Sequence, residues 1–289
     1  METRLFPPSA AYSLAPEGNT GDGVMIGVRA GGALDEGGAS PALWMPTSIL
    51  RQVDGSVSLW PHIMLDRAKP GLIAVNSAGR RFVNEADSYH DFVMGMLRSN
   101  RTVPSIPAYL ICDDRFLADY GMGLVFSGAR SRERLIAAGY LLQADTLKGL
   151  AARIGVEADG FERTVAEHNR YAKTGVDEEF GKGSTPMNRF NGDPTNGPNP
   201  CLRALETAPF YAVAVWPADL ASSAGLKVDT NGRVLDGEGQ PIRDLYACGN
   251  DMRSIFGGTY PGPGTTLGPA LVFGWRVAQH IAHGHVDIT

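Results

Sequence analysis

A glycine-rich loop near the C-terminal end is the stretch of this sequence best suited to chemistry. Five glycines lie between Gly257 and Gly268, and Pro269 follows at the predicted start of an apolar helix. Glycine lets the backbone approach a ligand closely, and a helix N-terminus presents unpaired N–H groups with a partial positive charge. The loop is therefore suited to an anion, or to a group that becomes anionic during reaction, with Tyr260 at its edge. Because the helix is apolar on most sides, we expect it to be buried.

Three interpretations of this loop compete. Residues 262–268 superficially match a dinucleotide-binding fingerprint, but no apolar strand directly precedes them, and Pro263 and Pro269 stiffen the turn. The second interpretation is a glycine- and proline-rich connection that binds nothing. The third is a cofactor or substrate loop at a helix N-terminus. Spacing alone leaves the second and third open.

A second group of polar residues follows a predicted hairpin, in which residues 72–75 pair with residues 81–83. Asn84 and Glu85 come directly after it, and Tyr89 follows closely. Such a group forms either an exposed helix start or the rim of a site. The residue types by themselves favour the helix start.

The elements that position these groups follow from caps and periodicity. We expect a short helix after residues 20–23, capped by Thr20 or Asp22, and a helix capped by Asp145 that ends at Gly155. Further predictions are a helix over residues 159–173, strands over residues 108–112, 210–216 and 244–248, and a hairpin over residues 226–235. His168 and Tyr171 are interpreted as packing and surface residues of their helix.

Composition excludes several classes of protein. The chain has 289 residues, 43% hydrophobic content and a net charge of −5, which argues against a nucleic-acid partner. Cys112, Cys201 and Cys248 have no paired spacing, so neither a disulfide framework nor a metal site is predicted. No signal peptide is recognised, and no apolar run approaches the roughly 20 residues of a membrane helix. These features predict a cytoplasmic protein with no membrane partner.

Two blocks resemble one known superfamily. Residues 245–250 (LYACGN) and 257–270 (GGTYPGPGTTLGPA) resemble the closing FAD segment of the FAD-dependent fumarate reductase and 3-ketosteroid 1-dehydrogenase superfamily. Residues 70–85 (PGLIAVNSAGRRFVNE) resemble its cap-domain signature. The resemblance implies an α+β chain: a partial FAD-binding α/β domain without its N-terminal dinucleotide unit, and an inserted α+β cap. The implied domains are a remnant of the FAD-binding domain (1–55), a cap or substrate domain (56–209) and a closing FAD segment (210–289).

The resemblance also implies roles for individual residues. Tyr89 falls where the ketosteroid dehydrogenases have their proton acceptor, and Tyr260 and Gly264 fall where they have the donors to the substrate carbonyl. The implied contacts to FAD are Gly249, Asn250, Asp251, Thr265, Thr266, Leu267 and Gly268. The implied reaction is α,β-dehydrogenation, or the reverse ene reduction, of a neutral ketone such as a 3-ketosteroid. The cationic residues of the fumarate reductase branch are missing at the matching positions, which disfavours a dicarboxylate substrate.

One part of the family pattern is not found. The superfamily opens with a G-x-G-x-x-G unit that binds the ADP part of FAD, and this sequence has no such unit. Its absence would leave apolar edges of residues 20–45 and 210–289 uncovered. We prefer a second subunit that carries the unit, with FAD across an oligomer interface. The alternatives are an inactive fragment of a longer flavoenzyme, and a cofactor-free ligand-binding protein or ketone isomerase that uses Tyr89 and Tyr260.

Overall fold

The computed structural model describes residue 7, residues 11–127 and residues 132–284. The chain divides into two compact units. The smaller unit contains Met1–Trp44 and Asp219–Thr289, and the larger unit is Met45–Ala218. The chain is a mixture of helices and mainly antiparallel strands, as the predicted α+β class requires.

The helices and strands are numbered here in chain order. The helices are α1 (Asp22–Arg29), α2 (Met64–Arg67), α3 (Tyr89–Ser99), α4 (Asp114–Asp119), α5 (Arg132–Ala137), α6 (Leu147–Ile154), α7 (Ala158–Thr174), α8 (Pro186–Asn191) and α9 (Leu267–His283), with a 3-10 turn at Gly249–Asp251. The strands are β1 (Tyr12–Ser13), β2 (Leu34–Asp35), β3 (Ala42–Arg51), β4 (Val57–Pro61), β5 (Leu72–Val75), β6 (Ala108–Asp113), β7 (Gly121–Met122), β8 (Val125–Phe126), β9 (Leu142–Ala144), β10 (Phe210–Ser222), β11 (Gly225–Leu226), β12 (Arg233–Leu235) and β13 (Pro241–Tyr246). Among the described residues, no helix has the length and apolar character that crossing a membrane requires.

The larger unit is organised around a sheet with the strand order β4-β3-β10-β6-β5. Its central strands are almost entirely apolar, as expected of strands that are covered on both faces. Helices α6 and α7 pack on the sheet and close a core of apolar side chains: Ile73, Val75, Ile111, Leu150, Ile154, Phe161, Val165 and Ala212.

Local sequence signals located these two helices correctly. Thr146, rather than the predicted Asp145, caps α6 by accepting a hydrogen bond from the Gly149 N–H, and Gly155 ends the helix. Glu157 caps α7, and Gly175 ends it. His168 and Tyr171 of α7 are buried packing residues, with exposures of 0% and 7%, so the surface position that was also predicted is wrong.

The predicted hairpin of residues 72–75 with 81–83 is wrong. Strand β5 pairs with β6 instead, with Leu72 opposite Cys112, and residues 81–83 form no strand. The reason is not local, because Arg81 turns its guanidinium inward to two buried carboxylates, Glu85 and Asp177.

The smaller unit is built from short paired strands and two helices. Strand β2 pairs with β11, and β12 pairs with β13. The predicted turn at Asn231 and Gly232 is present, because the Asp229 N–H donates to the Arg233 carbonyl (3.0 Å), but β12 forms its ladder with β13. Helix α1 begins after Gly21, which has a φ of 77° and no side-chain cap, so the predicted caps Thr20 and Asp22 are wrong.

Helix α9 packs on this unit along one face only. Phe273 joins the small core around Leu226 and Val234, and the buried Arg276 side chain donates to the Thr230 carbonyl oxygen. The opposite face is apolar yet exposed, which contradicts the predicted burial of this helix. Its exposed apolar side chains are Leu267, Leu271, Val272, Trp275 and Ile281.

Candidate functional site

The glycine-rich loop enters helix α9 through a tight turn. Gly257, Gly258 and Gly264 have φ values of 59°, 80° and 93°, a region that favours glycine. The Gly268 N–H donates to the Gly264 carbonyl oxygen (2.8 Å), whereas no described residue accepts a hydrogen bond from the Gly264 N–H. Gly264 therefore has a donor to offer, as its implied role requires. Strand β13 ends at Tyr246, well before this turn, so the strand-turn-helix of a dinucleotide fingerprint is not formed.

An open groove of about 460 Å³ lies along this turn and the first part of α9. Gly264, Thr265 and Gly268 line it, together with apolar side chains of the loop and the helix. A smaller groove adjoins through Thr265 and is lined by three more of the residues implied to contact FAD: Gly249, Asn250 and Thr266. The structure thus brings together six of the predicted residues.

Gly268 provides the test of whether this groove fits a flat ring. A Cβ atom built on it would meet no atom within 4 Å, and its φ lies outside the left-handed region. Neither packing within the chain nor backbone conformation therefore requires glycine at this helical position, where glycine is unfavourable. Close approach of a bound group to the backbone would account for it. The first turn of α9 also supplies the positive end of a helix dipole, so the groove fits the isoalloxazine ring of a flavin.

Two of the implied FAD contacts do not line either groove. Asp251 belongs to the 3-10 turn, and its carboxylate packs against Gly23 of α1, where any Cβ would collide with it. That contact explains why the last residue of the Gly-Asp-Gly motif at residues 21–23 is glycine. Leu267 is 64% exposed on the outer side of α9.

Tyr260 does not itself line the larger groove, although Phe256 before it and Pro261 after it both do. Its side chain is partly buried, and burial raises the pKa of its phenol. A raised pKa keeps the hydroxyl protonated through the neutral and mildly alkaline range. Tyr260 is therefore suited to donate a hydrogen bond rather than to accept a proton.

Tyr89 belongs to the larger unit, whereas Tyr260 and Gly264 belong to the smaller one. It is the first residue of α3 and is 8% exposed. Ser88 caps this helix by accepting a hydrogen bond from the Asp91 N–H (3.1 Å). The helix start predicted for these residues is confirmed, but it is buried rather than exposed.

A buried cluster of charges holds the segment that leads to Tyr89. Arg81 donates to both oxygens of Glu85 (2.8 and 2.7 Å) and to both oxygens of Asp177 (3.0 and 2.8 Å). Lys182 lies 3.6 Å from Glu85 and donates to the Leu72 carbonyl oxygen (2.6 Å). Although burial opposes its ionisation, the charges of Arg81 and Lys182 lower the pKa of Glu85 to about 2. The cluster is fully paired, so the residues of the cap-like signature serve to fix the backbone there.

Sequence reasoning missed a second buried network, made by Ser48, His62, Asp66 and Tyr140. His62 Nδ1 lies 2.5 Å from Asp66 Oδ2, and its Nε2 lies 2.8 Å from Ser48 Oγ. The Ser48 hydroxyl is also 2.7 Å from the Tyr140 hydroxyl. The order of groups resembles a serine hydrolase triad, but Ser48 and His62 are completely buried, so no substrate reaches them. Only the spacing of His62 and Asp66 signals it in the sequence, since Ser48 lies on a different element.

Comparisons with known proteins also point to FAD. A family model described as FAD binding domain matches residues 1–267. The chain is 40% identical over 285 residues to the 4-oxocyclohex-2-ene-1-carboxylate 5-dehydrogenase of Sinomonas cyclohexanicum, covering 98% of this chain and 48% of that protein. It is 37% identical over 281 residues to the 3-oxosteroid 1-dehydrogenase of Mycobacterium tuberculosis, covering 96% of this chain and 48% of that protein.

A solved structure shows the same likeness. The structure of the 3-ketosteroid delta1-dehydrogenase from Sterolibacterium denitrificans, in complex with 1,4-androstadiene-3,17-dione, matches with a TM-score of 0.90 at 37% identity. The match covers 98% of this chain and 51% of that one. The chain thus spans about half the length of the relatives it matches.

Proposed function

This chain belongs to the FAD binding domain family, and on that premise we propose that it is the catalytic half of an FAD-dependent oxidoreductase acting on the CH–CH bond beside a ketone. Residues 56–209 are proposed as the cap or substrate domain, and residues 1–55 and 210–289 as parts of the FAD-binding domain. The groove at the start of α9, with its unexplained Gly268, is the observation that supports this function most strongly.

Five of the seven residues proposed to hold the flavin line that groove or the one adjoining it, and Asp251 and Leu267 are their neighbours in the chain. Thr265, Thr266, Leu267 and Gly268 offer the first turn of α9, and Gly249, Asn250 and Asp251 offer the 3-10 turn. Bound FAD supplies the acceptor for the hydride that leaves the β-carbon of the ketone. The positive end of the α9 dipole favours negative charge on a group bound there.

The chain's own residues are proposed to handle the ketone. The Tyr260 hydroxyl and the Gly264 N–H donate to the carbonyl oxygen, and their two hydrogen bonds stabilise the enolate charge that develops when the α-proton leaves. Tyr89 accepts that proton. Since the ordinary pKa of a tyrosine is about 10, Tyr89 works at neutral pH only where its surroundings stabilise the phenolate or pass the proton on.

The names of the relatives support a cyclic ketone as the substrate class. One is a 3-oxosteroid dehydrogenase, and another acts on an oxocyclohexene that bears a carboxylate. We propose the neutral ketone, because the chain lacks the cations of the fumarate reductase branch at the matching positions. Steady-state rates on a neutral 3-ketosteroid and on a cyclohexanone carboxylate test this choice, and a preference for the carboxylate would reverse it.

A Tyr260→Phe substitution tests the reaction itself. Loss of one donor to a developing oxyanion should reduce desaturation by about 10²-fold or more. Tyr246→Phe is the matched control. It also removes one tyrosine hydroxyl, but that hydroxyl is hydrogen-bonded to His280 and has no proposed role in the reaction. Wild-type turnover in the Tyr260 variant would refute the donor role.

We further propose that the ADP part of FAD is bound by a second subunit that carries a G-x-G-x-x-G unit. One observation supports this: the outer face of α9 is apolar and exposed. Native mass spectrometry should find this chain, FAD and the second polypeptide in one complex. FAD bound by these 289 residues alone would contradict the second subunit and leave the flavin site standing.

A further inference from the structure

Arg67 is a fully buried arginine whose hydrogen-bond acceptors are backbone carbonyl oxygens rather than carboxylates. Its Nε donates to the His62 carbonyl (3.1 Å), and its Nη1 donates to the carbonyls of Glu85 (2.6 Å) and Asp87 (3.3 Å). Burial lowers its pKa to about 10, so the guanidinium stays charged at neutral pH. Burying a guanidinium that has no carboxylate as a hydrogen-bond partner costs free energy, so a specific role for Arg67 is expected.

The contacts of Arg67 enclose the start of α3. Asp87 lies two residues before Tyr89, and Phe92 lies one turn after it. The Arg67 guanidinium carbon is 4.8 Å from the centre of the Phe92 ring, within the range of a cation–π contact. One side chain thus holds the backbone before Tyr89 and the helix face after it.

Arg67 is itself fixed by the buried network described above. It ends the four-residue helix α2, and its N–H donates to Asp66 Oδ1 (2.9 Å). The other oxygen of Asp66 lies 2.5 Å from the His62 ring, whose Nε2 is 2.8 Å from Ser48 on β3. Helix α2 is therefore tied to the sheet, and Arg67 is a rigid support.

The charge cluster around Arg81 does a different task on the same segment. Arg81 and Lys182 hold the side chain of Glu85, while Arg67 holds the main chain of Glu85 and Asp87. Only a planar fork of donors reaches two neighbouring carbonyls while it stacks on a ring, so lysine cannot replace arginine here.

We propose that Arg67 is a positioning residue, which sets the start of α3 and so the placement of the Tyr89 side chain. Its catalytic meaning depends on the proposed role of Tyr89 as the base. The placement of Tyr89 is a separate physical claim, and it is tested without turnover.

The test places a single 3-fluorotyrosine at position 89 of the full chain and records its ¹⁹F resonance. We expect one narrow signal for the native arginine, and a displaced, broadened or split signal in Arg67→Lys and in Arg67→Gln. Arg67→Gln keeps one donor nitrogen but no buried charge. It is therefore expected to fold even if Arg67→Lys does not. Arg276→Lys is the matched control, because Arg276 is another buried arginine that donates to a backbone carbonyl, in the other unit.

The outcomes separate cleanly. An unchanged Tyr89 signal in either folded Arg67 variant would overturn the proposal. Unfolding of both variants while Arg276→Lys stays folded would also overturn it, because Arg67 would then be needed for folding alone. In the flavin-loaded complex, Arg67→Lys should lower kcat by about 10- to 100-fold with KM nearly unchanged, as a small misplacement of a catalytic group does. If Tyr89→Phe kept wild-type kcat, the role of Tyr89 as the base would fail while the ¹⁹F result stood by itself.

Discussion

Replacing Gly268 with alanine should move stability and flavin affinity in opposite directions. Gly268 is the second residue of α9, and a Cβ there meets no atom within 4 Å. Alanine loses less backbone entropy than glycine in a helix, which is worth about 0.5–1 kcal/mol, and we expect the lower figure in a first turn. The same methyl group would project into a groove that the bound ring is proposed to fill. Overpacking of this kind costs about 1–3 kcal/mol, which is a loss of roughly 5- to 150-fold in affinity for FAD.

Urea unfolding of the chain measures the first effect, and titration of the assembled protein with FAD, followed by flavin fluorescence, measures the second. Gly274→Ala is the matched control. Gly274 is another glycine of α9 with open space at its Cβ position, but it does not line the groove. It should gain stability without losing flavin. Unchanged FAD affinity in Gly268→Ala would refute the placement of the ring against this turn.

Two further predictions concern the larger unit and the outer face of α9. Glu85→Gln should lower the free energy of unfolding by about 3–5 kcal/mol in a urea titration, because Lys182 and Arg81 lose a buried counter-charge. A loss under about 1 kcal/mol would show that charge does not stabilise the cluster. Since the pKa of Glu85 is lowered in the folded state to about 2, its contribution is present above the unfolded value near 4.5 and is lost as the pH falls from there toward 2. Acid unfolding of the wild type should therefore steepen in that window, and Glu85→Gln should remove the effect. Leu271→Asp should weaken binding of the second subunit without changing the melting temperature. Val53→Asp, at a fully exposed position of the other unit, should change neither. Normal binding of the second subunit by Leu271→Asp would exclude the outer face of α9 as the contact surface.

Local signals predicted those parts of the fold that local interactions determine. Helices α6 and α7 were located because each has a helical pattern that stops at a glycine within one stretch of sequence, although the cap of α6 was predicted one residue too early. The hairpin at residues 72–83 failed because one of the two partners of Arg81 is Asp177, 96 residues away, and no short-range pattern reports such a pair. The burial of α9 failed for a related reason. Its apolar outer face is real, but no described residue of this chain covers it.

The residues of the candidate site differ in the same way, because only those with a local role could be predicted from the sequence. The glycines that shape the turn before α9 were visible in the sequence, since their role is local backbone geometry. Arg67 was not, because its three acceptors lie 5, 18 and 20 residues away and carry no side-chain signature. Asp251 illustrates an intermediate case. Its place in the motif is visible in the sequence, whereas the packing of its carboxylate against Gly23 is not.

A crystal structure of the flavin-loaded assembly is the most direct test of where the cofactor's ring binds. We expect the isoalloxazine to lie in van der Waals contact with Gly264 and Gly268, and the adenosine end to contact a polypeptide other than residues 1–289. A groove filled by this chain's own side chains, with the flavin bound elsewhere, would contradict the proposed function.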